Sequence, residues 1–192
     1  MNDILSEVVK RLDRDSELVL TGTISEIVGK IRIFSYGSDM NEENFKKEME
    51  KHGYELGLKG TEKRTLSGYR RALDNKSGSH GIAFSIHRYK SGHVDGICHD
   101  ILIEALGAFL SKEGLFSWRP NYRLIKVKVE QEPKPVLSLE GLKRTSIRKL
   151  SDNQRKKALK YVGTTIIGAK RWGVNVFHMK RLEKQLSSGR LK

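Results

Sequence analysis

"RIFSYGSDM", Arg32 to Met40, is the stretch on which the reading of this chain turns. The run Ile31 to Phe34 has the stiff, apolar composition of a β-strand, and it ends abruptly in Tyr36-Gly37-Ser38. Asn41 then serves as the cap of a helix predicted to run to about His52, with Glu42 and Glu43 in its first turn, where the helix dipole favours acids. A strand that stops at Gly-Ser before a capped helix gathers unpaired backbone N–H groups around one point, and glycine lets a ligand approach the main chain. Such a turn suits a carboxylate or a developing oxyanion. It is equally at home in an ordinary loop, because Tyr-Gly-Ser occurs often in turns.

Outward from this point the element types alternate. Upstream, Ile4, Leu5, Val8, Val9 and Leu12 give residues 2–14 the spacing of an amphipathic helix. "ELVL", Glu17 to Leu20, reads as strand, and the short "SEIVGK", Ser25 to Lys30, leads into the opening strand. Downstream, "LSGYRRALD", "GIAFSIHRY" and "HVDGICHDI" are three strand-like segments parted by Gly and Ser clusters. "ILIEALGAFLSKEG" returns to helical spacing. "YRLIKVKVE" alternates Leu124, Lys126 and Lys128 with Ile125, Val127 and Val129, so one of its faces is buried. "EPKPVLSLEGLKR" carries two of the three prolines and reads as a connection. Ser151 with Gln154 forms a capping box for a helix from Asp152 to Arg171, closed by Gly173. A shorter helix, Asn175 to Leu186, precedes a fraying "SSGRLK". There is no internal repeat.

Composition narrows the function classes. The chain has 192 residues, 37% hydrophobic and 31% charged, enough for one core. No apolar run approaches the roughly 20 residues that span a bilayer, and the first residues lack the pattern of a secretory leader. The expectation is a soluble, cytoplasmic protein. A single cysteine, Cys98, excludes an internal disulfide and a cysteine-rich zinc site. The histidines at 52, 80, 87, 93, 99 and 178 have no ligand-like spacing, so neither metal nor cofactor is expected.

Net charge is +14, and its placement is uneven. From residue 143 onward fifteen Lys and Arg side chains face only Asp152 and Glu183, which leaves the first 142 residues almost neutral. Such a segment suits nucleic acid or another polyanion through phosphate contacts. Yet Arg155, Lys156, Lys157 and Lys160 also fall on the polar side of a helix that offers Ala158, Leu159, Val162 and Ile166 to a core, a solvated face. Aromatic interleaving is thin, with Tyr161, Trp172 and Phe177 reading as buried, and no helix-turn-helix or zinc finger is present.

Five segments in register, "FSYGSDM", "LSGYRRALDNKSGSHGIAFSI", "HVDGICHDI", "LGAFLSKEG" and "YRLIKVKV", resemble the γ-glutamylcyclotransferase-like superfamily. The resemblance runs from about Arg32 to Val129 and extends to "YVGTTIIGAKRWGV", which looks like the family's closing helix. It implies an α+β fold, a mixed, partly closed β-barrel flanked by helices, here with a helical basic C-terminal segment. The expected organisation is a single domain with an N-terminal extension (1–30), a cyclotransferase-like core (31–130), and a connection with basic helices packed on that core (131–192).

The implied activity is intramolecular aminolysis, in which the α-amine of a γ-glutamyl group attacks its own γ-carbonyl and releases 5-oxoproline. The Glu-Gly after the helix falls on Glu113 and Gly114, making Glu113 the acid/base. Tyr36, Gly37, Ser38, Asp39 and Met40 fall on the substrate turn, and Tyr122 on a pocket tyrosine. An acid at a helix carboxyl end opposes the dipole, which gives Glu113 a reason to be functional. Asp39 departs from the family, which usually has Asn there, and adds a negative charge. Trp118 and Arg119 lengthen the loop before Tyr122, and Arg70 and Arg71 in the Gly-Tyr-Arg strand read as solvated. The rival reading keeps the fold for binding a polyanion.

Overall fold

The structure is a computed structural model that describes residues 3–24, 30–54 and 59–188. Its centre is β1, Lys30–Ser35. Alternation along this strand sends Ile31 and Ile33 to one side and Phe34 to the other, so β1 is buried on both faces. Among the described residues, the sheet built around it has five strands in the order β2-β3-β1-β5-β4 and is mixed and open. β2, Lys59–Ser77, and β3, Gly81–Leu102, form a long antiparallel hairpin. β3 pairs antiparallel with β1, placing Phe34 opposite Cys98. β5, Val136–Gly141, lies parallel to β1 and antiparallel to β4, Tyr122–Val127.

Helices cover the two faces. On one side lie α1 (Asp3–Lys10), α2 (Arg14–Ile24), α3 (Glu42–Glu50) and α4 (Ile103–Lys112), whose apolar residues pack with Ile31, Ile33, Leu124 and Leu137. On the other lie α5 (Asp152–Arg171) and α6 (Phe177–Ser188), which pack with Phe34, Ile82, Phe84 and Val127. The caps are those the sequence predicts. The Asn41 side chain accepts from the Asn44 N–H at 3.1 Å, and Ser151 with Gln154 makes the full capping box of α5. This gives an α+β architecture, a mixed sheet flanked by helices.

Four expectations are corrected. "ELVL" belongs to helix α2, because Asp13 precedes it and its carboxylate accepts from the N–H groups of Asp15 and Ser16, both at 3.1 Å; a four-residue apolar run cannot by itself distinguish strand from helix. "GIAFSIHRY" and "HVDGICHDI" are one strand, since β3 runs through Ser91 and Gly92 and absorbs the irregularity as a shift in its pairing with β2 near Gly68. "VLSLEG" is β5 rather than a connection. Its prolines, Pro133 and Pro135, stand before the strand and cost it no ladder hydrogen bond. Phe177, expected to be buried, is 74% exposed. The "SEIVG" part of the short second segment, and the last four residues, lie outside the described residues.

α5 is set directly on the turn that follows β1. A Cβ on Gly168 would lie 2.4 Å from the carbonyl carbon of Met40, so only glycine permits the approach. One turn further on, the Trp172 indole N–H donates to the Met40 carbonyl at 3.0 Å. The turn is thereby fixed from outside the sheet.

Candidate active site

After β1 the chain makes a short 3₁₀ turn, Ser38–Met40, closed by hydrogen bonds from the Met40 N–H to the Gly37 carbonyl and from the Asn41 N–H to the Ser38 carbonyl. The first N–H groups of such a turn, those of Ser38 and Asp39, have no carbonyl within it to bond. Tyr36, Gly37, Ser38 and Asp39 line a small chamber of about 40 Å³, together with Glu113 and Tyr122. Met40 does not join them: its side chain is fully buried in the core beneath α5, because the 3₁₀ turn rotates it inward.

Tyrosines wall the chamber. The Tyr36 hydroxyl donates to the Leu139 carbonyl across the parallel β1–β5 pair. Tyr122, at the start of β4, donates to the Phe84 carbonyl at 3.0 Å. Tyr161, from α5, accepts from the Phe84 N–H at 3.2 Å, and its ring stacks on His80 with centroids 4.8 Å apart. Burial holds all three phenols well above their ordinary pKa, so they remain protonated donors at neutral pH.

The charged centre lies at the end of α4. Glu113 caps this helix, its N–H bonded to the Phe109 carbonyl at 3.0 Å, and Gly114 leaves it at φ 73°. Lys112, the preceding residue, turns inward. Its ammonium donates to Asp39 Oδ1 at 2.6 Å and to Glu113 Oε1, and rests near the Phe45 and Phe109 rings, 5.5 and 5.7 Å from their centroids. One buried cation is thus shared by two carboxylates, and the aromatic faces contribute to its stabilisation. Burial pushes the Glu113 carboxyl up to about 7; the Lys112 ammonium pulls the other way, and the Asp39 carboxylate adds to the rise. Burial opposes the charge on Lys112, but the two carboxylates outweigh it and hold the amine above its usual range.

The structure therefore brings together Tyr36, Gly37, Ser38, Asp39, Glu113 and Tyr122. Sequence reasoning missed Lys112, Tyr161 and His80. Lys112 left no local signal: two acids converging on one dry site need a cation, but it is the fold that brings Asp39 to Glu113. Arg71 also differs from expectation: it is drawn under the tyrosines, its Nε buried without a partner among the described residues, its terminal amine donating to the Asp95 carbonyl. Burial pulls its guanidinium down to about 10. Arg70 remains exposed. Among the described residues, no group of three His, Cys, Asp or Glu side chains could hold a metal, and no helix is long and apolar enough to cross a membrane.

Among solved structures, the chain is similar to YkqA from Bacillus subtilis, at 22% identity and a TM-score of 0.66 over 88% of this chain. It spans 58% of that protein's length. It is also similar to a gamma-glutamyl cyclotransferase, at 16% identity and a TM-score of 0.59, covering 80% of this chain and 86% of the other. A third likeness is to a gamma-glutamyl cyclotransferase specific to glutathione from yeast, at 10% identity and a TM-score of 0.61, covering 85% of this chain and 98% of that one. No protein-family model matches the sequence, and no curated protein does. The chain has the γ-glutamylcyclotransferase-like fold.

Proposed function

We propose that this protein cleaves γ-glutamyl amides by cyclotransfer. The observation that carries the reading is the position of Glu113, a shielded carboxyl with a pKa raised to about 7, where a small tyrosine-walled chamber meets a larger cleft. The cleft, at about 510 Å³, has room for a γ-glutamyl amide.

The substrate's α-ammonium is mostly protonated near neutral pH and is a poor nucleophile until it loses one proton to solvent. As the free amine's nitrogen bonds to the γ-carbonyl carbon, the Glu113 carboxylate takes a second proton from it. The N–H groups of Ser38 and Asp39 face the oxyanion or the substrate carboxylate. When the tetrahedral carbon collapses, the bond to the leaving nitrogen breaks and Glu113 returns the proton to it. Nucleophile and electrophile belong to one molecule, so the cleft need only fold the substrate, a task suited to its Tyr122 and Tyr161 walls. Lys112 is a positioning residue that keeps Glu113 oriented and offsets the charge that Asp39 adds. The chemistry requires no metal or cofactor.

Release of 5-oxoproline from γ-glutamyl amino acids, γ-glutamyl amines and glutathione tests the reading, with Glu113→Gln beside the wild type. Release that vanishes in the variant supports it; equal release by both removes Glu113 from its role.

A second reading draws on the exposed cations of α5 and α6, among them Lys156, Lys170, Lys180, Arg181 and Lys184, whose described acidic neighbours are few. It takes this surface as a contact for nucleic acid or another polyanion. Strongly salt-dependent elution from heparin supports it, and indifference to salt opposes it.

A further inference from the structure

Beyond Glu113 the cleft widens to about 510 Å³ and continues into an outer lobe of about 290 Å³. Ser38, His80 and Tyr161 line both spaces, so they are continuous along one wall. The far side of the lobe is a single face of α5, on which Lys157, Lys160, Tyr161 and Thr164 recur at helical spacing. Tyr161 therefore links the chamber to the two lysines within one helical turn.

The charge of this lobe is unbalanced. Among the described residues its one lining acid, Glu48, is engaged by Lys51 at 2.6 Å. Neither Lys157 nor Lys160, both exposed and lining the lobe, has an ion-pair partner among the described residues. His80, stacked on Tyr161, is held by burial below its ordinary pKa and offers a neutral imidazole along the path. A γ-glutamyl group held in the cleft with its γ-carbonyl at Glu113 directs its amide substituent along this wall toward the lysines.

We infer that the outer lobe is a subsite for an anionic leaving group, held by Lys157 and Lys160, so that the preferred substrates are γ-glutamyl conjugates of acidic amino acids. The inference rests on the cyclotransfer reading and adds the substrate class to it. Two exposed ion contacts favour such a conjugate about five- to ten-fold over a neutral one, and salt screens the preference.

The test compares γ-glutamyl-glutamate, γ-glutamyl-alanine and γ-glutamyl-ethylamide as substrates of the wild type and of Lys157→Ala/Lys160→Ala. Both lysines are exposed and alanine favours helix, so the variant keeps the fold. The expected result is a kcat/KM about five- to ten-fold higher for the glutamate conjugate, carried by KM, declining toward parity in the variant and in salt on the order of 0.5 M. Equal use of the three, or a preference that survives loss of both lysines, overturns the subsite. Titration calorimetry of the same compounds with Glu113→Gln, with and without the lysine substitutions, reads the subsite without turnover. Lysine-dependent preference there, with no 5-oxoproline from the wild type, keeps the subsite and overturns only the reaction; absence of preference overturns the subsite.

Discussion

Two clusters of charge flank β1, and they are built to opposite ends. On the strand itself, Arg32 grips Glu132 through Nε and a terminal amine, both at 2.9 Å, and donates to Asp100 at 2.9 Å. Arg64 adds a third bond to Glu132, again at 2.9 Å. Burial alone would raise the Glu132 carboxyl, but its bonds to Arg32 and Arg64 outweigh it and hold it below the usual range. At the end of β1, one Lys112 ammonium serves both Asp39 and Glu113, and there burial wins for Glu113. Guanidinium forks that match a carboxylate fix its charge. A single shared ammonium in a dry pocket leaves a carboxylate close to its titration point, which suits a group that must take and return a proton.

The contrast can be broken most severely at Glu113. Replacement by Gln should lower kcat for 5-oxoproline release by about 10²–10⁴-fold while the thermal transition stays close to that of the wild type. A loss of folding in place of activity would make Glu113 structural, like Glu132.

Lys112→Met comes next. It leaves two carboxylates in one dry site without a counter-charge and should destabilise the protein by about 3 kcal/mol, a fall in Tm of roughly 6–12 °C. The deficit should shrink as pH falls and the carboxylates protonate. Adding Asp39→Asn should restore much of the loss, and a double variant no better than the single would disprove the sharing.

Glu132→Gln should cost about 2 kcal/mol, because its bonds are charge-assisted, and leave turnover unchanged. The direction with pH is the same as at Lys112, because carboxylate protonation removes the stabilisation in both cases. A carboxyl with a depressed folded pKa contributes stability that is present above its unfolded pKa and lost as pH falls through the folded value. The difference from wild type should therefore hold at neutral pH and disappear in acid, as thermal melts across pH would show.

The smallest effect is kinetic. The acid limb of kcat/KM should fall near 7, rising with pH as Glu113 becomes the carboxylate base. In Lys112→Met the limb should move upward by about one unit, since the ammonium that favours the charged form is gone. A limb that stays in place separates Lys112 from the titration of Glu113.

The turn at Tyr36 to Met40 and the Glu113-Gly114 helix end were legible because each obeys local rules, a glycine turn before a capped helix and an acid where the dipole disfavours one. Lys112 was not, because its meaning depends on Asp39, 73 residues away. Tyr161 was legible only as an apolar aromatic on a helix; its hydroxyl acquires a role when α5 lies across Phe84. β5 was hidden by the prolines that precede it, and Arg71 by a charge that, like that of Arg70, reads as solvated.

By itself the sequence determined the features set by short-range periodicity and caps: the helices α3 to α5, the stiff apolar strand β1, and the concentration of positive charge beyond residue 143. Tertiary structure alone decided which charges meet. The protonation of Glu113 depends on a lysine beside it, an aspartate from another element and the exclusion of water by Tyr122 and Phe109, and the lysines of α5 matter only because the helix is laid along the cleft. Electrostatic energies depend on distance and burial in space, and neither quantity is carried by position along the chain.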